Sequence, residues 1–135
     1  MARQLDENTL VDGQIAPADV AGLAAEGITM IVNNRPDRED PGQPLGAEIE
    51  AAAVKAGIAY RHVPILRGIG PGDVESMAEV LAEAGGGKTL AYCRSGTRSA
   101  YVSALAHRAM GVDRDEVERR LTNAGFDPAP IQHLL

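Results

Sequence analysis

The chain has 135 residues, which suits one domain with a single buried core, so we expect a single domain over residues 1–135. Hydrophobic residues make up 44% of the chain but aromatic residues only 3%, which is typical of short parallel strands covered by Ala-rich helices. The net charge of −6, with no basic stripe to neutralise phosphates, argues against nucleic acid as a partner.

The sequence gives no sign of export or of a membrane anchor. No stretch approaches the ~20 apolar residues that a membrane-spanning helix needs, and the N-terminal residues lack the apolar segment of a signal peptide. Cys93 is the only cysteine and cannot form an internal disulfide, so nothing points to an oxidising compartment. We therefore expect a soluble, cytoplasmic protein without a membrane partner.

Short apolar runs alternate with helical patterns, which predicts βαβ units and a mostly parallel sheet. The start of the chain is ambiguous, with two short strands between residues 4 and 14 as one interpretation. The elements predicted after it are a helix from Pro17 to the residue before Gly27, a strand over 29–32, a helix over 47–56, a strand over 59–64, a helix capped by Asp73, a strand over 89–92, a helix over about 98–110 and a final helix with a capping box of Asp113 and Glu116.

The last predicted strand leads directly into Cys93, and a helix follows. At the carboxyl end of a parallel strand, the start of a helix offers unpaired N–H groups and the positive end of its dipole, which bind anions and favour a thiolate. Gly96 permits the tight turn, and the guanidinium of Arg98 can hold an oxyanion. The polar neighbours make a buried, merely packing cysteine the less favoured interpretation. The sequence thus predicts Cys93 and Arg98 as catalytic, in an anion-binding loop with Arg94, Ser95, Gly96, Thr97 and Ser99.

Further polar residues are expected near this loop. Asn33, Asn34 and Arg35 follow a strand and should lie at the same end of the sheet, where they line the pocket or, for the asparagines, hold the turn before Pro36. Arg67, on a second loop, faces either the pocket or solvent. The three histidines have no metal-ligand spacing, so neither a metal nor a cofactor is expected.

Two segments carry a resemblance to known families. Tyr92-Cys93-Arg94-Ser95-Gly96-Thr97-Arg98-Ser99 resembles the Cys-x-x-Gly-x-Arg active-site loop of single-domain rhodaneses. Gly27-Ile28-Thr29-Met30-Ile31-Val32-Asn33-Asn34-Arg35 resembles the Gly-Ile-Thr strand of dual-specificity phosphatases. Together they are similar to the DUF442 family, the β-lactamase-hydrolase-like, phosphatase-like domain, whose members are labelled phosphatases or sulfurtransferases.

The resemblance implies an α/β fold: a tyrosine-phosphatase-like three-layer domain with a central, mostly parallel sheet of about four to five short strands flanked by about five helices. It also implies a small anionic sulfur donor or a phosphorylated substrate as the small-molecule partner. A metallo-hydrolase or persulfide dioxygenase is the implied protein partner, because domains of this kind are sometimes fused to such enzymes.

Three functions stay open, and the residue count in the loop favours the first. A sulfurtransferase would carry sulfane sulfur as a Cys93 persulfide, a phosphatase would form a Cys93 phosphocysteine, and a carrier or sensor would bind without turnover. Phosphatases similar to this fold have Cys-x5-Arg, usually after a histidine, whereas here Tyr92 precedes a Cys-x4-Arg loop. The region 61–70, where their acidic residue is expected, holds no Asp or Glu. Asp37, Glu39 and Asp40 lie on another loop that could reach the site, although their number indicates a solvated surface.

Overall fold

A five-stranded sheet forms the centre of the molecule, of which the computed structural model describes residues 2–135. Its strands lie in the order β1-β2-β5-β3-β4. The first pair is antiparallel, and the three other pairs are parallel. The strands are β1 (Arg3–Gln4), β2 (Thr9–Asp12), β3 (Ile28–Asn33), β4 (Ala59–His62) and β5 (Lys88–Tyr92).

Helices cover both faces of this sheet. Among the described residues the α-helices are α1 (Val20–Ala25), α2 (Gly46–Ala56), α3 (Pro71–Ala84), α4 (Thr97–Ala109) and α5 (Arg114–Asn123). Two 3-10 helices lie over Pro17–Asp19 and Ala129–Leu134. None of the helices in this part of the chain is long and apolar enough to cross a membrane.

Alternate residues of each central strand face opposite layers, as the period-two geometry of a strand requires. Leu90 and Tyr92 pack in a core with residues of α1 and α2, whereas the intervening Ala91 packs in a second core with α3, α4 and α5. Two apolar cores on the two faces of one mostly parallel sheet confirm the predicted three-layer α/β architecture.

The structure differs from the sequence-based elements mainly at helix ends. Asp73 lies inside α3 rather than before it, and its carboxylate accepts the N–H of Gly70 at 2.8 Å. The predicted capping box of α5 is wrong. Asp113 makes no side-chain cap hydrogen bond, and Glu116 instead accepts from Arg120 at 2.8 Å, because a guanidinium one turn further along the helix offers a stronger, charged partner.

Strand register brings three loops to one end of the sheet. Tyr92 is in register with Asp12 of β2 on one side and with Asn33 of β3 on the other. The chain therefore leaves all three strands at the same level. Backbone hydrogen bonds continue past the strand ends, from Asn34 N–H to the Tyr92 carbonyl at 2.8 Å and from Cys93 N–H to the Asp12 carbonyl at 3.3 Å.

Candidate active site

The thiol loop (residues 93–98) joins β5 to α4 and holds its cysteine against the start of the helix. Cys93 has no exposed surface, and its Sγ accepts the N–H of Gly96 at 3.1 Å. Gly96 is the residue before α4 and has φ of 95°, in the left-handed region that favours glycine. The turn thus aims the Gly96 amide and the positive end of the helix dipole at the sulfur, where both interact favourably with negative charge.

The loop after β2 forms one wall of the thiol loop. Gln14 N–H donates to the Arg94 carbonyl at 3.3 Å. A Cβ on Gly13 would lie 3.0 Å from the same carbonyl oxygen, so the two backbones approach as closely as a glycine allows. Sequence reasoning did not include these residues. The Asp12-Gly13 turn was the only local signal, and its place beside Cys93 depends on the pairing of β2 with β5.

Arg98 lies in the first turn of α4 with its guanidinium near the thiol. Its Nη1 donates to the Ile65 carbonyl at 3.0 Å and to Glu39 Oε2 at 2.8 Å, and its Nη2 donates to Glu39 Oε1 at 2.7 Å. The pKa of Arg98 is raised, chiefly by its hydrogen bond to Glu39 and additionally by a Cys93 thiolate, while partial burial acts in the opposite direction. The guanidinium is therefore available to interact with charge on the sulfur.

Asn34 and Ser99 support the thiol loop from inside the protein. The Ser99 hydroxyl donates to Asn34 Oδ1 at 2.8 Å, and Asn34 Nδ2 donates to the Val63 carbonyl at 2.9 Å. Both residues are fully buried. These bonds connect the first turn of α4 to the ends of β3 and β4. The structure thus places Ser99 behind the site, where its hydroxyl serves Asn34 rather than an incoming anion.

The remaining predicted residues lie in three places: in the turn after β3, beside the site, or exposed to solvent. Asn33 holds the turn, since its Oδ1 accepts Arg35 N–H at 2.8 Å and its Nδ2 donates to the Tyr60 hydroxyl at 3.0 Å. Arg35 is buried beside the site, whereas Arg67 and Arg94 are exposed. Ser95 and Thr97 lie on the outer side of the turn, with their hydroxyls 3.4 Å apart.

Two carboxylates lie among the arginines of the site, on the loop for which the sequence left open both contact with the site and a solvated surface. Glu39 accepts from Arg98 and from Arg35 Nε at 2.8 Å. Asp40 accepts from Arg35 Nη2 at 2.6 Å and lies 3.1 Å from Arg94 Nε. The hydrogen bond from Arg98, followed by that from Arg35, lowers the pKa of Glu39 to about 2 against the opposing effect of burial. Glu39 is thus ionised at neutral pH.

The acidic loop (residues 36–43) that carries these carboxylates is held by a side chain. Gln43 Oε1 accepts the N–H groups of Glu39 and Asp40 at 3.1 and 3.2 Å, and Gln43 Nε2 donates to the Pro36 carbonyl at 2.9 Å. Asp37 faces α2 instead, where its carboxylate accepts Gly46 N–H at 2.8 Å. Residues 2–135 contain no group of three His, Cys, Asp or Glu side chains placed to hold a metal ion.

Comparison with known proteins identifies relatives over nearly the whole chain. A family model described as "Beta-lactamase hydrolase-like protein, phosphatase-like domain" matches residues 2–110. A β-lactamase hydrolase-like protein of Xylella fastidiosa is 35% identical over 125 residues, which cover 91% of this chain and 29% of that protein. The protein of the same description from Agrobacterium fabrum is 34% identical over 131 residues, with 93% and 30% covered. The chain thus spans about three-tenths of the length of the curated relatives it matches.

Solved structures show the same fold. A candidate phosphatase from Neisseria meningitidis superposes with a TM-score of 0.82 at 34% identity, covering 98% of this chain and 94% of that one. A DUF442 candidate phosphatase from Shewanella putrefaciens gives 0.72 at 15% identity, with 92% and 93% covered. The active form of Tk-PTP gives 0.71 at 21% identity, with 92% and 84% covered. The predicted phosphatase-like fold and the predicted DUF442 resemblance are therefore confirmed, and phosphatase is the activity that these descriptions name.

Proposed function

The chain belongs to the family of β-lactamase hydrolase-like proteins with a phosphatase-like domain, and we propose that it is an enzyme in which the Cys93 thiolate attacks and carries a transferable group. The fold is that of cysteine-based phosphatases. The group that the site geometry supports best is sulfane sulfur, so the proposed activity is that of a sulfurtransferase. The observation that carries this choice is the six-residue thiol loop, which offers one backbone amide fewer than the Cys-x5-Arg loop of the phosphatases.

The charges around the loop support the same choice. Arg35, Arg94 and Arg98 are paired with the carboxylates of Glu39 and Asp40, so three positive charges are offset by two negative ones. A phosphate monoester with a second pKa of about 6 is mostly a dianion at neutral pH. The Cys93 thiolate is a third negative charge, so no positive charge is left over, and a singly charged persulfide or thiosulfonate is bound at a smaller electrostatic cost than a dianion.

Sulfur transfer proceeds in two balanced displacements. The Cys93 thiolate attacks the terminal sulfur of a persulfide or thiosulfonate donor, the donor's sulfur–sulfur bond breaks, and its electron pair leaves with a thiolate or a sulfinate. The Gly96 amide and the α4 dipole stabilise the resulting Cys93 persulfide, and Arg98 binds the anionic part of the donor. An acceptor thiolate then attacks the outer sulfur and releases Cys93. Neither step needs a proton from a carboxylic acid.

The first displacement requires access to a buried sulfur. Cys93 is fully buried, and the Arg98 guanidinium that interacts with it is held by Glu39. The donor therefore reaches the sulfur by taking over part of the hydrogen bonding of Arg98. A small anion with terminal oxygens is suited to this exchange, because it offers Arg98 the same acceptors as the carboxylate.

Phosphatase activity is the second candidate, and the comparisons support it more than sulfur transfer. The Neisseria meningitidis structure, at 34% identity, is described as a candidate phosphatase. A phosphocysteine mechanism needs an acid to protonate the leaving alkoxide. The carboxylates at the site are poor candidates, because Glu39 is ionised with a pKa of about 2 and Asp40 is ion-paired with Arg35 and Arg94.

A comparison of two substrates, each incubated separately with the protein, tests the proposal. Protein is incubated with methanethiosulfonate or with p-nitrophenyl phosphate, and intact mass and peptide mapping are used to find a sulfur atom or a phosphoryl group on Cys93. We expect a persulfide that cyanide or a thiol removes with turnover, and no adduct in Cys93→Ser. Hydrolysis of the phosphate ester without any persulfide would refute sulfur transfer. A persulfide that no acceptor discharges would indicate a carrier.

A further inference from the structure

We infer that Glu39 sets the charge of the anion that this site accepts, so that monoanionic sulfur donors are preferred over dianions such as thiosulfate, sulfate or a phosphate monoester. The inference deepens the proposed function, because it names the charge class of its substrate. It rests on the part of that function in which Arg98 binds the anionic group.

The Glu39 carboxylate already occupies Arg98 in the way that a substrate oxyanion would. Both of its oxygens accept from the two terminal nitrogens of the guanidinium, at 2.8 and 2.7 Å. This paired arrangement is the one that arginine makes with carboxylates, sulfonates and phosphates in general. An incoming oxyanion therefore competes with Glu39 for the same donors.

Glu39 is also unable to move far away when an anion binds. Its Oε1 accepts from Arg35 Nε at 2.8 Å, and its backbone N–H is held by Gln43 at 3.1 Å. Arg35 is buried and anchored by a further bond from Nη1 to Gln14 Oε1 at 3.0 Å. A bound anion thus shares the site with a fixed negative charge rather than replacing it.

The fixed negative charge of Glu39 repels a dianion more strongly than a monoanion. Glu39 remains ionised over the whole neutral range, since its pKa is lowered to about 2 by Arg98 and Arg35. Coulomb energy is proportional to the ligand's charge, so a repulsion that weakens a monoanion about threefold weakens a dianion about tenfold. Since Glu39, Asp40 and the Cys93 thiolate together offset the charges of the three arginines, attraction does not compensate for this penalty. The site therefore favours a thiosulfonate, or the persulfide of a thiol without other negative charge, over thiosulfate.

Anion binding measured by NMR tests the inference without relying on catalysis. The backbone amide of Gly96 and the Nε–H of Arg98 are followed in ¹⁵N spectra of the 135-residue chain, titrated with methanesulfonate or sulfate at constant ionic strength. The variants are Glu39→Gln and, as a control, Glu26→Gln, which removes an exposed carboxylate just before β3, at the opposite end of the sheet.

In the wild type we expect methanesulfonate to bind more tightly than sulfate. Glu39→Gln should strengthen sulfate binding about tenfold and methanesulfonate binding about threefold, whereas Glu26→Gln should resemble the wild type. Tighter sulfate binding in the wild type, or equal gains for both anions in Glu39→Gln, would overturn the inference. The wild-type preference stands as a test even if the variant does not fold. Failure of persulfide formation would refute the proposed function but not this binding pattern, so the two failures are distinguishable.

Discussion

Replacing Gly96 by alanine tests whether the turn of the thiol loop holds the thiolate. Gly96 has φ of 95°, where an L-residue is strained, and a Cβ there would lie 3.4 Å from the carbonyl carbon of Asp12. The left-handed conformation costs a residue with a Cβ about 1–2 kcal/mol. For 135 residues with an unfolding entropy of about 2.1 cal/mol/K each, a loss of about 2 kcal/mol lowers Tm by roughly 7 °C.

Gly111→Ala is the matched control. Gly111 follows α4 with φ of 102°, and a Cβ there would meet no atom within 4 Å. We expect both variants to lose similar stability in thermal unfolding followed by circular dichroism. Relief of the strain at residue 96 shifts the amide that contacts Cys93 at 3.1 Å. A hydrogen bond to a charged group contributes about 1.5–3 kcal/mol, so Gly96→Ala should accept sulfur from methanethiosulfonate about ten- to a hundredfold more slowly. Equal sulfur acceptance by the two variants would refute the role of this amide.

Three further predictions concern stability. Because the pKa of Glu39 is lowered from its ordinary value of 4.5 to about 2, its stabilising contribution is complete above pH 4.5 and is lost as the pH falls towards about 2. The difference in unfolding free energy between wild type and Glu39→Gln, measured in urea, should therefore become smaller over this pH range. Ser99→Ala should lower the free energy of unfolding by about 1–3 kcal/mol, because it leaves Asn34 Oδ1 unpaired. Ser103→Ala, one turn further along α4, should be neutral or stabilising, since the Ser103 hydroxyl is buried without a hydrogen-bond partner among residues 2–135. Equal losses of unfolding free energy in the two variants would contradict this. Burial lowers the pKa of His107 below 6.5, despite the opposing charge of Asp6; stability should therefore fall as the pH drops below 6.5, and His107→Gln should reduce that slope in denaturant melts.

Those parts of the fold that are determined by local patterns could be predicted from the sequence. The strand predicted over 89–92, which is Lys88–Tyr92 in the structure, and the helix after it follow from short-range periodicity, and their junction at Gly96 follows from the backbone freedom of glycine. Parallel strands end at one edge of a sheet, so the meeting of residues 33–35 with the thiol loop could also be expected.

Long-range side-chain pairing could not be predicted in this way. Asp37, Glu39 and Asp40 are equivalent in the sequence, yet Asp37 caps α2 while the other two pair with arginines. What separates them is the path of the acidic loop, which depends on Gln43 and on a left-handed residue, Arg38 at φ of 63°. The direction of Ser99 into the core likewise depends on which residue begins α4.

The acidic loop also explains how one fold can host different chemistries at the same cysteine. A thiolate at the start of a helix is a general nucleophile, and it does not by itself select phosphorus or sulfur. Selection between phosphorus and sulfur requires groups that stabilise or destabilise the charge of the bound anion and that control the protonation of its leaving group. Here the lowered pKa of Glu39, beside Arg98, makes it a fixed negative charge and not an acid, and Asp40 is held in an ion pair with Arg94. The proposed sulfur transfer, a displacement between singly charged sulfur atoms, suits such a site better than a displacement that begins with a dianion and ends with an alkoxide.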